Sequence, residues 1–160
     1  MLVQPSELNT ELYPEVIAAI TRSNPAETIA QIKAAEDFCK SYLFKYDLKA
    51  LFGSTDNSGV VPVEIPPTVI DENLKKTIKV IASYWLVRKA NPNVNVELFR
   101  EDWELMIGNK EVPGWLYDIK EGNINPDWPY KADNTETPED EGAQNDGVFW
   151  GSNSKRTQRF

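Results

Sequence analysis

The sequence contains no histidine. That absence excludes a Ser-His-Asp triad, a Cys-His pair and any histidine-based metal site, and it removes the commonest general base. There is one cysteine, Cys39, so no internal disulfide can form. It also lacks a histidine to activate it, and its place beside Phe38 in a helical pattern predicts a small buried core residue. No glycine-rich phosphate-binding motif is present. No apolar run reaches the length of a membrane span, and the longest, Val80 to Val87, is broken by Ser83. The opening Met1-Leu2-Val3-Gln4-Pro5 has neither a basic nor an apolar signal region, so the protein is expected in the cytoplasm of the cell that makes it, with no membrane partner. Positive charge is scarce as well. Lys and Arg number 17 against 25 Asp and Glu, giving a net charge of -8 and a pI near 4.6. A free-standing nucleic-acid binder carries the opposite balance, because cations displace phosphate counterions.

What is present is an ordinary globular composition, with 41% hydrophobic and 26% charged residues in a chain of 160. That is enough for one domain with a hydrophobic core. Pro5 to Asn9 reads as a turn or a short helical piece. A first helix is expected from about Leu12 to Arg22, with Pro14 in its first turn and Val16, Ile17 and Ile20 on its apolar side. Asn24 and Pro25 make a cap and first position for a second helix, from about Pro25 to Tyr46. There Ile29, Ile32, Ala35, Cys39, Tyr42 and Tyr46 recur at three and four residues and share one face. Gln31, Lys33, Glu36, Asp37 and Lys40 fall mostly off it. Asp47 to Phe52 extends this helix or starts a new turn, and Gly53 closes it.

Ser54 to Thr68 reads as an irregular loop. Pro62, Pro66, Pro67 and the flanking glycines forbid helix, while Val60, Val61, Val63 and Ile65 allow a short strand or hairpin arm confined to an edge. A third long helix starts near Asp71 and runs to about Ala90. Leu74, Ile78, Ile81, Trp85 and Val87 or Arg88 mark its inner stripe, and Val80, Ala82, Tyr84 and Leu86 make its middle apolar nearly all round. Such a helix is central in a core or covered by a partner. A fourth follows from about Asn95 to Ile107, with Phe99, Trp103, Met106 and Ile107 buried, and a short segment through Trp115, Leu116 and Ile119 ends at Gly122. Asn125 to Pro129 is an irregular anchor. The expected fold is all-α, a small antiparallel bundle of four to five helices with a long irregular loop.

From Asp133 to Gly147 there are six acidic residues, no basic one and almost no apolar content. Such a stretch cannot bury enough surface to order itself. The expected organisation is therefore a helical domain over 1–130 and a flexible acidic linker with a basic, aromatic end over 131–160. Phe149, Trp150, Lys155, Arg156, Arg159 and Phe160 give that end the composition of an interface hot spot, and they are the candidate partner-binding residues.

Other clusters have plainer readings. Glu36-Asp37 and Glu101-Asp102-Glu104 are adjacent on helices and point apart, so a solvated face is expected. Asp56-Asn57-Ser58-Gly59 lacks the ligand spacing of a calcium loop and reads as a turn. Trp85, Trp103, Trp115 and Trp128 read as core packing with one polar handle per ring. Neither a metal site, a cofactor site nor a set of catalytic residues is expected.

Several segments resemble a known family in order and spacing. Leu12-Tyr13-Pro14-Glu15-Val16-Ile17 through Ile20-Thr21-Arg22 is similar to its opening. Ala34-Ala35-Glu36, Lys40-Ser41-Tyr42-Leu43 and Tyr46 to Gly53 resemble its second helix and exit. Ile78 to Ala82, Trp85-Leu86, Ala90-Asn91-Pro92-Asn93 and Glu97-Leu98-Phe99-Arg100 resemble its third helix and following turn. Gly122-Asn123-Ile124 and Pro126-Asp127-Trp128-Pro129 resemble its close. The family is the Mu-like head–tail joining (head-completion, adaptor) group of tailed phages and prophages, and the resemblance spans about Leu12 to Pro129. Glu111 to Trp115, the Ser54–Thr68 loop and the acidic tail exceed its core.

The resemblance implies a non-enzymatic structural adaptor, assembled as an oligomeric ring beneath the portal. Its implied partners are the portal protein, neighbouring copies of itself and a tail-side stopper or tail-completion protein. The C-terminal arm would engage the portal or adjacent subunits, and DNA would pass the channel without specific binding. Its implied location is the bacterial cytoplasm during assembly, then the head–tail junction of the virion. Two other functions compete. One is a regulatory or binding module of a phage or prophage whose acidic tail mimics nucleic acid. The other is a small enzyme using Asp56, Glu64 and Asp71 around the long loop, which needs those carboxylates to converge.

Overall fold

The computed structural model describes residues 1–90 and 96–132. Among these the fold is mostly helical, as expected: a 3-10 helix Pro5–Thr10, then α1 (Pro14–Thr21), α2 (Pro25–Tyr42), α3 (Leu48–Phe52), α4 (Glu72–Ala90), α5 (Val96–Ile107) and α6 (Trp115–Glu121). Two short strands, β1 (Ser54–Asp56) and β2 (Val63–Ile65), form an antiparallel hairpin inside the long loop. The helices number more than four to five because the N-terminal piece forms a 3-10 helix and the expected second helix breaks at Asp47. Asp47 Oδ1 accepts from the backbone N–H groups of Lys49 and Ala50, at 2.9 and 3.2 Å, so Asp47 caps α3 and cannot continue α2. The expected single helix to Tyr46 therefore stops at Tyr42.

α4 is the centre. Leu74, Ile78, Ile81, Leu86 and Val87 are essentially inaccessible, and Val80, Ala82 and Tyr84 are buried on its other sides. The cover it requires comes from inside the molecule, with α2, α5, α1 and the 3-10 helix all packing on it. Each large aliphatic removed from water contributes about 1.5–3 kcal/mol. α2 supplies Ile32, Ala35 and Cys39 to the same core, and α6 supplies Leu116 and Ile119. Asn24 caps α2 as expected, its Oδ1 accepting from Ala26 N at 3.1 Å.

The N-terminal segment contributes more than its sequence announces. Leu2, Val3 and Leu8 are buried core residues. Leu2 and Val3 are held by Glu36, which is only 5% exposed. Its Oε1 accepts from Leu2 N at 2.6 Å and from Val3 N at 3.3 Å. The expectation that Glu36 lies on a solvated face is thus wrong, whereas its neighbour Asp37 is exposed and pairs with Lys40 at 2.7 Å. The buried carboxylate is stabilised because both N–H donors lack any other partner in the core.

Glu7 then ties the 3-10 helix to α4. Its Oε2 accepts from Gln4 N at 2.7 Å and its Oε1 meets Lys75 Nζ at 3.0 Å. The Gln4 hydrogen bond, aided by Lys75, holds this carboxyl below its ordinary value of 4.5. A depressed carboxyl favours the folded state above that ordinary value, and the contribution is lost as pH falls.

The chain end of the domain is strapped down. Asp47 N donates to Pro129 O at 2.8 Å, and Lys131 N donates to Lys45 O at 3.0 Å. Tyr46 stacks on Tyr130 and meets Trp128 edge-on, with centroids 5.1 and 5.3 Å apart. Between α5 and α6 the chain reverses through Gly108 (φ +67) against Gly114, where an added Cβ on either residue would lie within 2.3 Å of the other's backbone. The segment Glu111–Trp115 is accommodated by that backbone contact.

Replacing Glu36 with Ala should cost about 2–4 kcal/mol, because two buried N–H groups lose their acceptor. Glu36→Gln keeps an oxygen acceptor and should cost less. Urea denaturation of both variants, at unchanged m-value, measures the difference.

Candidate functional site

An open groove of about 800 Å³ runs between the chain entering α1, α1 itself and the neighbouring ends of α4 and α5. Its apolar lining includes Leu12, Val16, Ile20, Val87 and Phe99. Leu12 and Val87 are buried and form the floor, while Val16 and Tyr13 are exposed at the rim, Tyr13 to 77%. The local sequence explains this geometry. Tyr13 is the extended N-cap residue of α1, and Pro14 presets the first helical φ, so the Tyr13 ring projects from the groove's edge. α1 is eight residues long and apolar on more than one side, so part of its surface remains outside the core. The charged lining residues are Glu11 and Glu15. Glu11 also lies 4.0 Å from Lys79.

A second exposed surface is the hairpin. Ser54 pairs with Ile65, Thr55 with Glu64 and Asp56 with Val63. Val60, Val61, Val63 and Ile65 are all exposed. The expected edge strand is present, but both its strands face solvent. A third hollow, between α2 and the hairpin, is polar and mixed in sign, with Lys33, Glu36, Asp37, Lys40 and Glu64. Two of its three carboxylates are already engaged, Glu36 with the N-terminal backbone and Asp37 with Lys40.

The three carboxylates that an enzyme reading needs do not converge. Cross-strand partners share a face, and Asp56 and Glu64 belong to successive pairs, so they project from opposite faces of the hairpin. Asp56 Oδ1 accepts from Ser58 N at 2.9 Å, closing the expected turn, and that bond lowers its pKa from the ordinary value. Asp71 caps α4 through Leu74 N at 2.9 Å and accepts Trp128 Nε1 at 3.2 Å. Among the described residues no group of three or more His, Cys, Asp or Glu is placed to hold a metal ion. No helix there is long and apolar enough to cross a membrane.

Glu101, Asp102 and Glu104 are exposed on α5, as expected, with Arg100 reaching Glu97 at 2.7 Å and Glu104 at 3.5 Å. The tryptophans follow the expected pattern unevenly. Trp128 is buried with its handle on Asp71, Trp85 and Trp115 are half-buried, and Trp103 Nε1 is sealed in without a protein acceptor. The candidate partner-binding residues Phe149, Trp150, Lys155, Arg156, Arg159 and Phe160 lie outside the described residues, as does the acidic stretch before them. The groove, in contrast, was not foreseen: its lining comes from four separate elements, and the one available sign was the unusually apolar run from Leu12 to Ile20.

Comparison with protein-family models, with curated proteins and with solved structures finds no match to this chain.

Cys39 is fully buried on α2. Burial pushes its thiol from 9.0 up to about 12, and the nearby Glu36 carboxylate adds to the shift. The native thiol should therefore resist alkylation at pH 8 and react only after denaturation, which mass spectrometry of iodoacetamide-treated protein will read. A raised pKa also stabilises the fold fully below 9.0 and progressively less as pH climbs to about 12.

Proposed function

We propose that this chain is a non-enzymatic structural connector of a tailed phage or prophage, assembling as a ring beneath the portal and joining head to tail. The observation that supports assembly most directly is the hairpin. Val60, Val61, Val63 and Ile65 stand exposed on an arm of two short strands. A two-stranded hairpin is only marginally stable in water by itself. A neighbouring protein that covers those side chains would gain about 1.5–3 kcal/mol for each one fully buried and would hold the arm in place. An arm that binds a different face of the next copy makes a heterologous contact, and such contacts form a ring when the rotation between copies closes.

The resemblance of Leu12 to Pro129 to the Mu-like head–tail joining group supplies the kind of ring. In that reading the portal protein and adjacent copies are the partners above and beside the chain, and a tail-side stopper or tail-completion protein lies below. Assembly takes place in the bacterial cytoplasm, and the product is carried at the head–tail junction of the virion. The net charge of -8 suits a channel wall that lets DNA pass without gripping it. An assembled ring with its carboxylates turned outward would sink that last point.

The test is binding of the full chain to assembled portal protein from the same genome, with and without residues 148–160. The connector reading expects binding by the full chain, weakened tenfold or more, about 1.4 kcal/mol, when Phe149, Trp150 and the cations after them are removed. A full chain that ignores an assembled portal would move the assignment to a regulatory binding module.

A further inference from the structure

We infer that the groove beside α1 is a docking site for this chain's own C-terminal segment, residues 148–160. The inference concerns the free chain and does not depend on the connector reading. The first argument is chemical. The groove offers Val16, Ile20 and Phe99 as apolar surface, and among the described residues its charged lining is Glu15 together with Glu11, which lies 4.0 Å from Lys79. The C-terminal segment carries Phe149 and Trp150, then Lys155, Arg156 and Arg159. Aromatic rings fit a concave apolar site of about 800 Å³, and cations fit its acidic lining.

Charge also separates this occupant from the other apolar candidate. The hairpin between Ser54 and Ile65 carries Asp56 and Glu64 and no cation. Seating it in the groove would bring acid against Glu11 and Glu15.

Chain length permits the contact within one molecule. The described chain stops at Ala132, beside the strap that Lys131 makes with Lys45. Fifteen residues, 133–147, separate it from Val148. Extended, they span up to about 50 Å. A domain of this size has a radius of gyration of about 14 Å, so most of its surface is within reach. Tethering then makes docking intramolecular, which raises the effective concentration of the segment to the millimolar range.

The native chain offers a direct test, because its one thiol is buried and unreactive. Ser154→Cys places a single accessible cysteine in the full-length protein, to which a nitroxide spin label is attached. Amide signals of Val16, Ile20 and Phe99 are then recorded with the label oxidised and reduced. At low salt the expected result is loss of those signals with the oxidised label, and their recovery in Trp150→Ala and in the Glu11→Lys, Glu15→Lys double variant. The same spectra verify that each variant is folded. Undiminished groove signals in the parent overturn the inference. So does a loss that survives both sets of substitutions. A loss confined to mixtures in which label and observed amides are on different molecules overturns it in favour of a second copy's tail. The readout requires no portal protein, so its failure is distinct from failure of the connector reading.

Discussion

The constraint on which the rest depends is the exclusion of water from α4. A helix apolar on nearly every side cannot lie on a surface, because each uncovered face would expose several large aliphatics. Four elements therefore wrap it: α2, α5, α1 and the 3-10 helix. The mostly helical packing follows from that demand, with the surrounding elements returning to the same cylinder. The cost is borne by polar atoms in the packing. Thr77 is buried and returns its hydroxyl to Asn73 O at 2.8 Å, while Ser83 Oγ is sealed in without a protein partner.

Covering α4 with short elements leaves a second problem, which is the anchoring of the chain ends. Glu36 holds the first residues by charge-assisted hydrogen bonds across 34 positions of sequence. At the other end an aromatic cluster of Tyr46, Trp115, Trp128 and Tyr130 clasps the segment after α6. Asn125 Oδ1 accepts from both Tyr46 and Tyr130 hydroxyls, at 3.1 and 2.7 Å, which orients the stacked pair. The Glu36 contacts are buried, and such contacts are expensive when incomplete and stabilising when satisfied, so they fix the position of the first residues.

The surfaces left over are where function is to be sought. Besides single exposed side chains such as Phe44, Ile70, Leu98 and Leu105, apolar area that the core does not use gathers on the hairpin and in the groove beside α1. They differ in charge and in curvature, the one projecting and the other concave. Exposed apolar surfaces of this kind mark candidate contact sites.

Periodicity alone placed every long helix within a few residues, because burial of one face imposes the 3.6-residue repeat directly on the order of side chains. The turn at Asp56, the cap at Asn24, the buried state of Cys39 and the central role of Glu72–Ala90 were legible for the same local reasons. Other features were decided only by tertiary structure. Glu36 looks like any solvated helix carboxylate until Leu2 and Val3 are brought to it from the far end of the chain. The break between α2 and α3 depended on which of two hydrogen-bonding roles Asp47 would take. The groove exists only because Leu12, Val16, Val87 and Phe99, distant in sequence, converge around α1. Local patterns report which side of an element is dry; they carry no record of what stands opposite, since that is set by packing between residues tens of positions apart.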